Sequence, residues 1–407
     1  MSKTKDHMGL TRRGFIKTLG LGGMAATGVT VPKAMAAQEQ SGDKAPSVPR
    51  RKLGKTGVEV SILSLGGMFD TVNNQLLLRQ ALNWGVNYWD TAAGYGNGLS
   101  EEGFGRFFSR YPEARKEVFL VTKAHTGAPA KMTESLDNSL KKLRTDYVDL
   151  FFVHGIADTN EMGEPLKDWV AQMKKAGKMK FFGFSTHTNM EDCLLAAAKL
   201  GWIDAIMFTY NFRLMHTQKM KDAMAACVNA GVGLVAMKTQ GGGPVKTDSE
   251  AELQVAGRFL ERGFTDKQAK LKAVWENPNI ACICSQMPSL TILSANVAAS
   301  RDLKALSRKD FELLNQFAKE TREGYCAGCG SICLEAVGGT VPVSDVMRCL
   351  MYYRDYGDRD LARGVFAGLS AEARSELTEV DYARAEKACP QGLAIAQLMR
   401  EASRVLA

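Results

Sequence analysis

At 407 residues, with 45% hydrophobic and 24% charged side chains, the chain is long enough for one large core plus an appendage and too apolar to be disordered. Its formal charge of +8 is concentrated at one end: residues 1–36 hold six basic side chains and one acid, leaving +3 for the rest. With no Lys/Arg-rich run after residue 60 there is no basis for a nucleic-acid surface, and no stretch approaches the roughly 18 apolar residues of a membrane span.

Thr11-Arg12-Arg13-Gly14-Phe15-Ile16-Lys17 is a twin-arginine export pattern. A weakly apolar Leu19–Val31 stretch follows, and Ala34-Met35-Ala36 places signal-peptide cleavage after Ala36. Residues 37–50 read as a polar linker. This route carries folded proteins, commonly with a cofactor already inserted. It predicts a periplasmic holoprotein that engages the twin-arginine machinery.

From residue 60 onward short apolar runs alternate with amphipathic segments. The expected strands are Ile62–Leu65, Tyr88–Asp90, Val118–Thr122, Asp149–His154, Lys180–Phe184, Ala205–Thr209, Val232–Met237 and Ile280–Cys284. Helical segments between them include Gln75–Trp84, Lys131–Leu143, Leu166–Lys175, Met190–Leu200, Met215–Ala230 and Asp266–Glu276. Eight strands with helical crossovers predict an α/β fold, a (β/α)8 TIM barrel. The doubly wound alternative wants a Gly-x-Gly-x-x-Gly turn after the first strand, and Leu65-Gly66-Gly67-Met68 is not one. A helix over Arg308–Glu320 closes the barrel, and residues 322–407 read as a small, mainly helical domain holding five of the nine cysteines.

In a parallel barrel the strand ends at one face carry the chemistry. Three of these runs end in Asp90, Lys123 and His154, and Tyr95 lies in the loop after the first of them. A free phenol has a pKa near 10, and a nearby ammonium lowers it. A carboxylate holds that ammonium in place, and an imidazole orients a carbonyl oxygen. Positioned proton transfer of this kind is worth roughly 10²–10⁴-fold. The hydride must come from a cofactor.

These segments resemble the aldo/keto reductase family over about Arg51 to Thr321. Lys52-Leu53-Gly54-Lys55-Thr56-Gly57-Val58-Glu59-Val60-Ser61 resembles the family's N-terminal hairpin, which plugs the barrel floor. Asp90-Thr91-Ala92-Ala93-Gly94-Tyr95, Thr122-Lys123 and Val153-His154 resemble its catalytic segments. The resemblance implies Tyr95 as acid, Lys123 and Asp90 as its tuning pair, and His154 as substrate orienter. It also implies a small carbonyl or alcohol substrate and a bound nicotinamide cofactor, NADP or NAD. Asn296 matches the family's adenine contact, and Ser185 and Asn211 suit a carboxamide. Gln286, Met287 and Ile292 stand where NADP-preferring members carry a Lys-Ser pair and an Arg. Met237 replaces an aromatic residue that often stacks on nicotinamide, and Lys238, followed by Gly241-Gly242-Gly243, can meet a phosphate.

Cys326-Ala327-Gly328-Cys329-Gly330-Ser331-Ile332-Cys333 and Cys389-Pro390-Gln391-Gly392 form a second constellation. Thiolates at such gaps can converge on one soft metal centre. The tail resembles the ferredoxin-like appendage of some aldo/keto reductases, which implies a [4Fe–4S] cluster on Cys326, Cys329, Cys333 and Cys389. Too few cysteines are present for two clusters. A zinc site, disulfides and free thiols remain alternatives, and Cys349 competes with Cys389 as fourth ligand. Cys193, Cys227, Cys282 and Cys284 read as core thiols. The functional expectation is an exported reductase with a possible redox partner. The alternative is an electron-relay or docking protein that uses the barrel only to hold a cofactor.

Overall fold

A computed structural model describes residues 47–242, 249–302 and 304–407. Arg12, Arg13, the cleavage site after Ala36 and Gly243 lie outside them. Strands β1 (Arg50–Lys52) and β2 (Glu59–Ser61) pair as an antiparallel hairpin. Strands β3 (Leu63–Gly66), β4 (Tyr88–Asp90), β5 (Phe119–Ala124), β6 (Val148–Val153), β7 (Met179–Thr186), β8 (Ala205–Thr209), β9 (Gly233–Met237) and β10 (Ile280–Gln286) close into a barrel of eight parallel strands. Each expected strand is present within about two residues, because both faces of a barrel strand are buried and its sequence is a continuous apolar run.

Side chains alternate across these strands. Trp89, Leu120, Phe151, Phe182 and Phe208 point outward into the layer of helices. Tyr88, Val121, Leu150, Phe152, Met207 and Val235 point inward and fill the barrel. The hairpin completes this inner core from below, with fully buried Leu53 and Val60. Its turn needs Gly54: at φ +51 a Cβ would lie 2.4 Å from the Gly231 carbonyl oxygen.

Helices start where the sequence offers caps. Thr217, Ser249, Thr265, Ser289 and Ser307 each accept a backbone N–H from the first turn of the helix that follows. The Thr217 cap explains why the helix expected from Met215 starts at Gln218. The Arg308–Glu320 helix ends the barrel layer.

Beyond it, helices Gly330–Ala336, Val343–Arg354, Arg359–Ala367, Ala383–Ala388 and Ile395–Leu406 gather around a second core. The last of them buries Ile395, Leu398, Met399, Ala402 and Leu406, one stripe at helical spacing. Residues 45–407 nonetheless form one compact unit. The Cys326–Cys333 loop lies on the barrel mouth: the Asn189 N–H donates to the Gly328 carbonyl (2.7 Å) and the Ser331 N–H to Asn189 Oδ1 (2.9 Å). No helix among the described residues is long and apolar enough to cross a membrane.

Candidate active site

The alternation that fills the barrel also aims the site. Asp90 continues the inward set of Tyr88, Lys123 that of Val121, and His154 that of Phe152, each at the upper end of its strand. Tyr95 reaches the same place from the turn after β4. Lys123 Nζ donates to Asp90 Oδ1 at 2.5 Å and to the Thr91 carbonyl at 2.8 Å, and lies 5.1 Å from the centre of the Tyr95 ring. The Tyr95 and His154 rings meet edge to face, 5.7 Å between centres. All except Lys123 line one cavity of about 260 Å³, with the Lys123 ammonium just behind them.

Burial sets the electrostatics. Desolvation first, then the charges of Lys123 and its neighbours, holds His154 well below the ordinary histidine range. It is a neutral imidazole near pH 7, and its Nδ1 is buried without a partner. The phenol departs from expectation. Burial, then the Asp90 carboxylate, pushes Tyr95 well above its usual value. These effects outweigh the Lys123 ammonium, which lies 5.1 Å from the ring centre and is hydrogen-bonded to Asp90 and the Thr91 carbonyl. Tyr95 therefore keeps its proton at neutral pH. Burial also raises Asp90, against the pull of Lys123.

Several cavity residues escaped the sequence reading. His125 stacks on His154, 4.3 Å between centres, and His187 lies beyond β7. Both continue the inward alternation of β5 and β7 past the strand ends, a signal the sequence did contain. Cys284 is not merely a core thiol: it lines the cavity beside Asp90, and burial and that carboxylate raise it to about 12. Arg348, Tyr352 and Tyr356 come from the tail and roof the cavity. A second cavity, of about 480 Å³, shares the wall of His187, Lys238 and Arg348 and extends to Cys326.

The expected cofactor residues are distributed unevenly. Met237, Lys238 and Gln286 line the catalytic cavity. Gln286 donates to the Met68 carbonyl at 2.5 Å. Ser185 is buried and accepts the Gly155 N–H at 3.0 Å. Asn211 is engaged internally: its amide donates to the Tyr325 hydroxyl (2.9 Å) and the Lys238 carbonyl (3.1 Å), and its Oδ1 accepts the Arg213 N–H. Asn296 donates to the Ser285 hydroxyl at 3.1 Å. A nicotinamide ring fits this place chemically, since Met237 lines the cavity beside the tetrad and His154 leaves one ring nitrogen unpartnered.

In the tail, the charges that Cys326 feels most include those of Cys329, Cys333 and Cys389. Burial and these neighbours raise Cys326 to about 12 and Cys333 to about 11. Cys349 is fully buried in the same tail core, and the charges acting on it most are those of Arg348 and Asp345 rather than of the other cysteines. All nine cysteines are free thiols, and among the described residues no three His, Cys, Asp or Glu side chains stand close enough to hold a metal ion. The four cysteines share a neighbourhood without forming a ligand cage.

The family model for aldo/keto reductases matches residues 63–322 and stops short of the tail. The chain is 24% identical to the L-galactose dehydrogenase of Arabidopsis thaliana over 295 residues, covering 65% of this chain and 92% of that protein. It is 29% identical over 219 residues to an aldo-keto reductase of Schizosaccharomyces pombe named for NADP(+), covering 48% of this chain and 62% of that one. Its fold is similar to that of an aldo-keto reductase from Bacillus halodurans solved in its holo form, with TM-score 0.56, 21% identity and coverage of 69% and 98% of the two chains.

Proposed function

Because the chain belongs to the aldo/keto reductase family, we propose that it is an exported, NADP- or NAD-dependent reductase of a small carbonyl compound, with one [4Fe–4S] cluster in its tail. The observation that carries the reading is the meeting of Asp90, Tyr95, Lys123 and His154 at one cavity. A scaffold that merely held a cofactor would have no use for a buried Lys–Asp pair beneath a phenol.

The bound nicotinamide would supply the hydride, held beside Met237 with Ser185, Gln286 and Asn296 as polar contacts. The protein's own part is the proton. His154, neutral, orients the carbonyl oxygen toward Tyr95. The protonated phenol gives its proton to that oxygen as negative charge develops there. Lys123, pinned by Asp90, then faces the phenolate left behind and lowers its cost. A named NADP(+) relative supports the phosphorylated cofactor. The uncharged Gln286, Met287 and Ile292 leave the 2′-phosphate without a cation at that loop.

The cluster reading rests on the sequence spacing of Cys326, Cys329, Cys333 and Cys389, whose thiols are neighbours but do not stand as a ligand cage. Export to the periplasm is supported by the twin-arginine pattern of residues 11–36. The test of the core reading is consumption of NADPH or NADH with a panel of aldehydes and ketones. Tyr95→Phe should lower turnover at least about 10²-fold while cofactor affinity stays. Full-rate reduction by Tyr95→Phe would refute the mechanism.

A further inference from the structure

The roof of the catalytic cavity is positively charged, and proton transfer to a carbonyl does not require that. Arg348 and Tyr352, one turn apart on the Val343–Arg354 helix, line the same space as Tyr95 and His154. Lys238 faces them from the end of β9. Its backbone is left-handed at φ 56, a conformation uncommon outside glycine, so the chain holds it there against local preference. Its ammonium donates to the Tyr352 hydroxyl at 3.3 Å and lies 4.4 Å and 4.7 Å from the ring centres of Tyr352 and Tyr356.

Two phenols meet this cation where a carboxylate would be ordinary, and among the described residues no acid pairs with it. The carboxylate that lines the cavity is Asp90, committed to Lys123. Arg348 touches Asp345, 3.1 Å away on its own helix, which leaves other donors of its five N–H groups for the cavity. Because Lys238 donates to Tyr352, the phenolic proton of Tyr352 is available to a further acceptor.

We propose that Lys238, Arg348 and Tyr352 anchor an acidic group, a carboxylate or a phosphate, on the carbonyl substrate, so that the tail selects what the barrel reduces. A planar guanidinium grips either anion with two parallel bonds, and an ammonium adds a point charge. His125, His154 and His187 are kept neutral by burial and by these cations, so they do not duplicate the anchor. The proposal rests on the reductase reading. The same chemistry would also suit the diphosphate of the cofactor, since Lys238 and Arg348 border the larger cavity as well, there together with Arg354 and the Asp355 carboxylate.

The experiment uses the mature full chain, wild type, Arg348→Gln, Lys238→Met and the conservative Arg348→Lys. Calorimetry measures binding of oxamate and of inorganic phosphate to the cofactor-loaded protein, and fluorescence measures the NADPH dissociation constant. Kinetics compare pyruvate with methyl pyruvate, and glyceraldehyde 3-phosphate with glyceraldehyde. We expect Arg348→Gln or Lys238→Met to weaken one anion about 10–100-fold, the scale of a charge-assisted bond. The kcat/KM ratio of the charged over the neutral substrate should fall as much. NADPH affinity should hold in Arg348→Gln, and Arg348→Lys should recover only part of the loss. If neither anion binds the wild type, the anchor is wrong even when neutral aldehydes turn over. If the variants weaken NADPH and spare the anions, the cations serve the cofactor and the proposal fails. If no carbonyl is reduced but oxamate binds in an Arg348-dependent way, the anion site stands and the reductase reading falls.

Discussion

Lys123→Met removes one partner of an ion pair whose side chains are 1% and 2% exposed. Methionine keeps most of the stem and loses the charge. Asp90 then loses its 2.5 Å bond, and its Oδ2 already has no partner. Breaking a buried pair from one side costs about 3–5 kcal/mol, because the surviving charge stays buried alone. Asp90→Asn in the same chain removes that charge. We therefore expect the double variant to regain at least about 1 kcal/mol over Lys123→Met, a non-additive cycle. Urea unfolding of the four proteins measures it. The pH dependence gives a second check. Burial already raises Asp90, and loss of Lys123 raises it further. A carboxyl whose folded pKa lies above its unfolded value, about 3.9, penalises the fold at pH above the folded value. The penalty fades as pH falls toward the unfolded value, so the Lys123→Met deficit should shrink between pH 7.5 and 4.5. Simple additivity, or a deficit independent of pH, would refute the reasoning.

Gly328→Ala would place a Cβ 2.4 Å from the His187 carbonyl oxygen at φ +79, whereas Gly338→Ala, at φ +69, meets open space. The first should lose at least about 2 kcal/mol and the second only the left-handed penalty of about 1–2 kcal/mol; equal melting temperatures would contradict this. Cys389→Ala should deplete iron and bleach protein purified without air, whereas Cys349→Ala should keep the iron; iron analysis and the visible spectrum decide, and the reverse pattern would make Cys349 the ligand. Arg12→Lys with Arg13→Lys keeps the charge but not the guanidinium geometry, so cell fractionation should find the protein retained in the cytoplasm; continued export would remove the argument for assembly before secretion.

The barrel was legible because its signals are local. A run such as Val118–Thr122 announces a strand without its partners, and period-two alternation carries Asp90, Lys123 and His154 to one side. The same alternation, followed two residues further, would have found His125 and His187. The sign at Tyr95 was not legible: it depends on how deeply the ring is buried and on how near the Asp90 carboxylate lies, both tertiary facts. Nor was the roof. Val346–Tyr353 reads as a helix with one apolar face, and Arg348 and Tyr352 show their role only once that helix is docked. The cysteine spacing likewise said nothing of the glycines between them, where Gly328 and Gly330 are required by contact with His187, Thr188 and Ser344.

Barrels of this architecture diversify through the loops that follow their strands. In this chain part of the mouth arrives instead from residues 325–407, far from any strand end, through Tyr325, Arg348, Tyr352 and Tyr356. Gain or loss of that segment in a lineage would change the lining of the cavity in one recombination event, with no drift in the barrel itself. Relatives that share the barrel but lack the segment are accordingly poor guides to the shape and charge of this cavity.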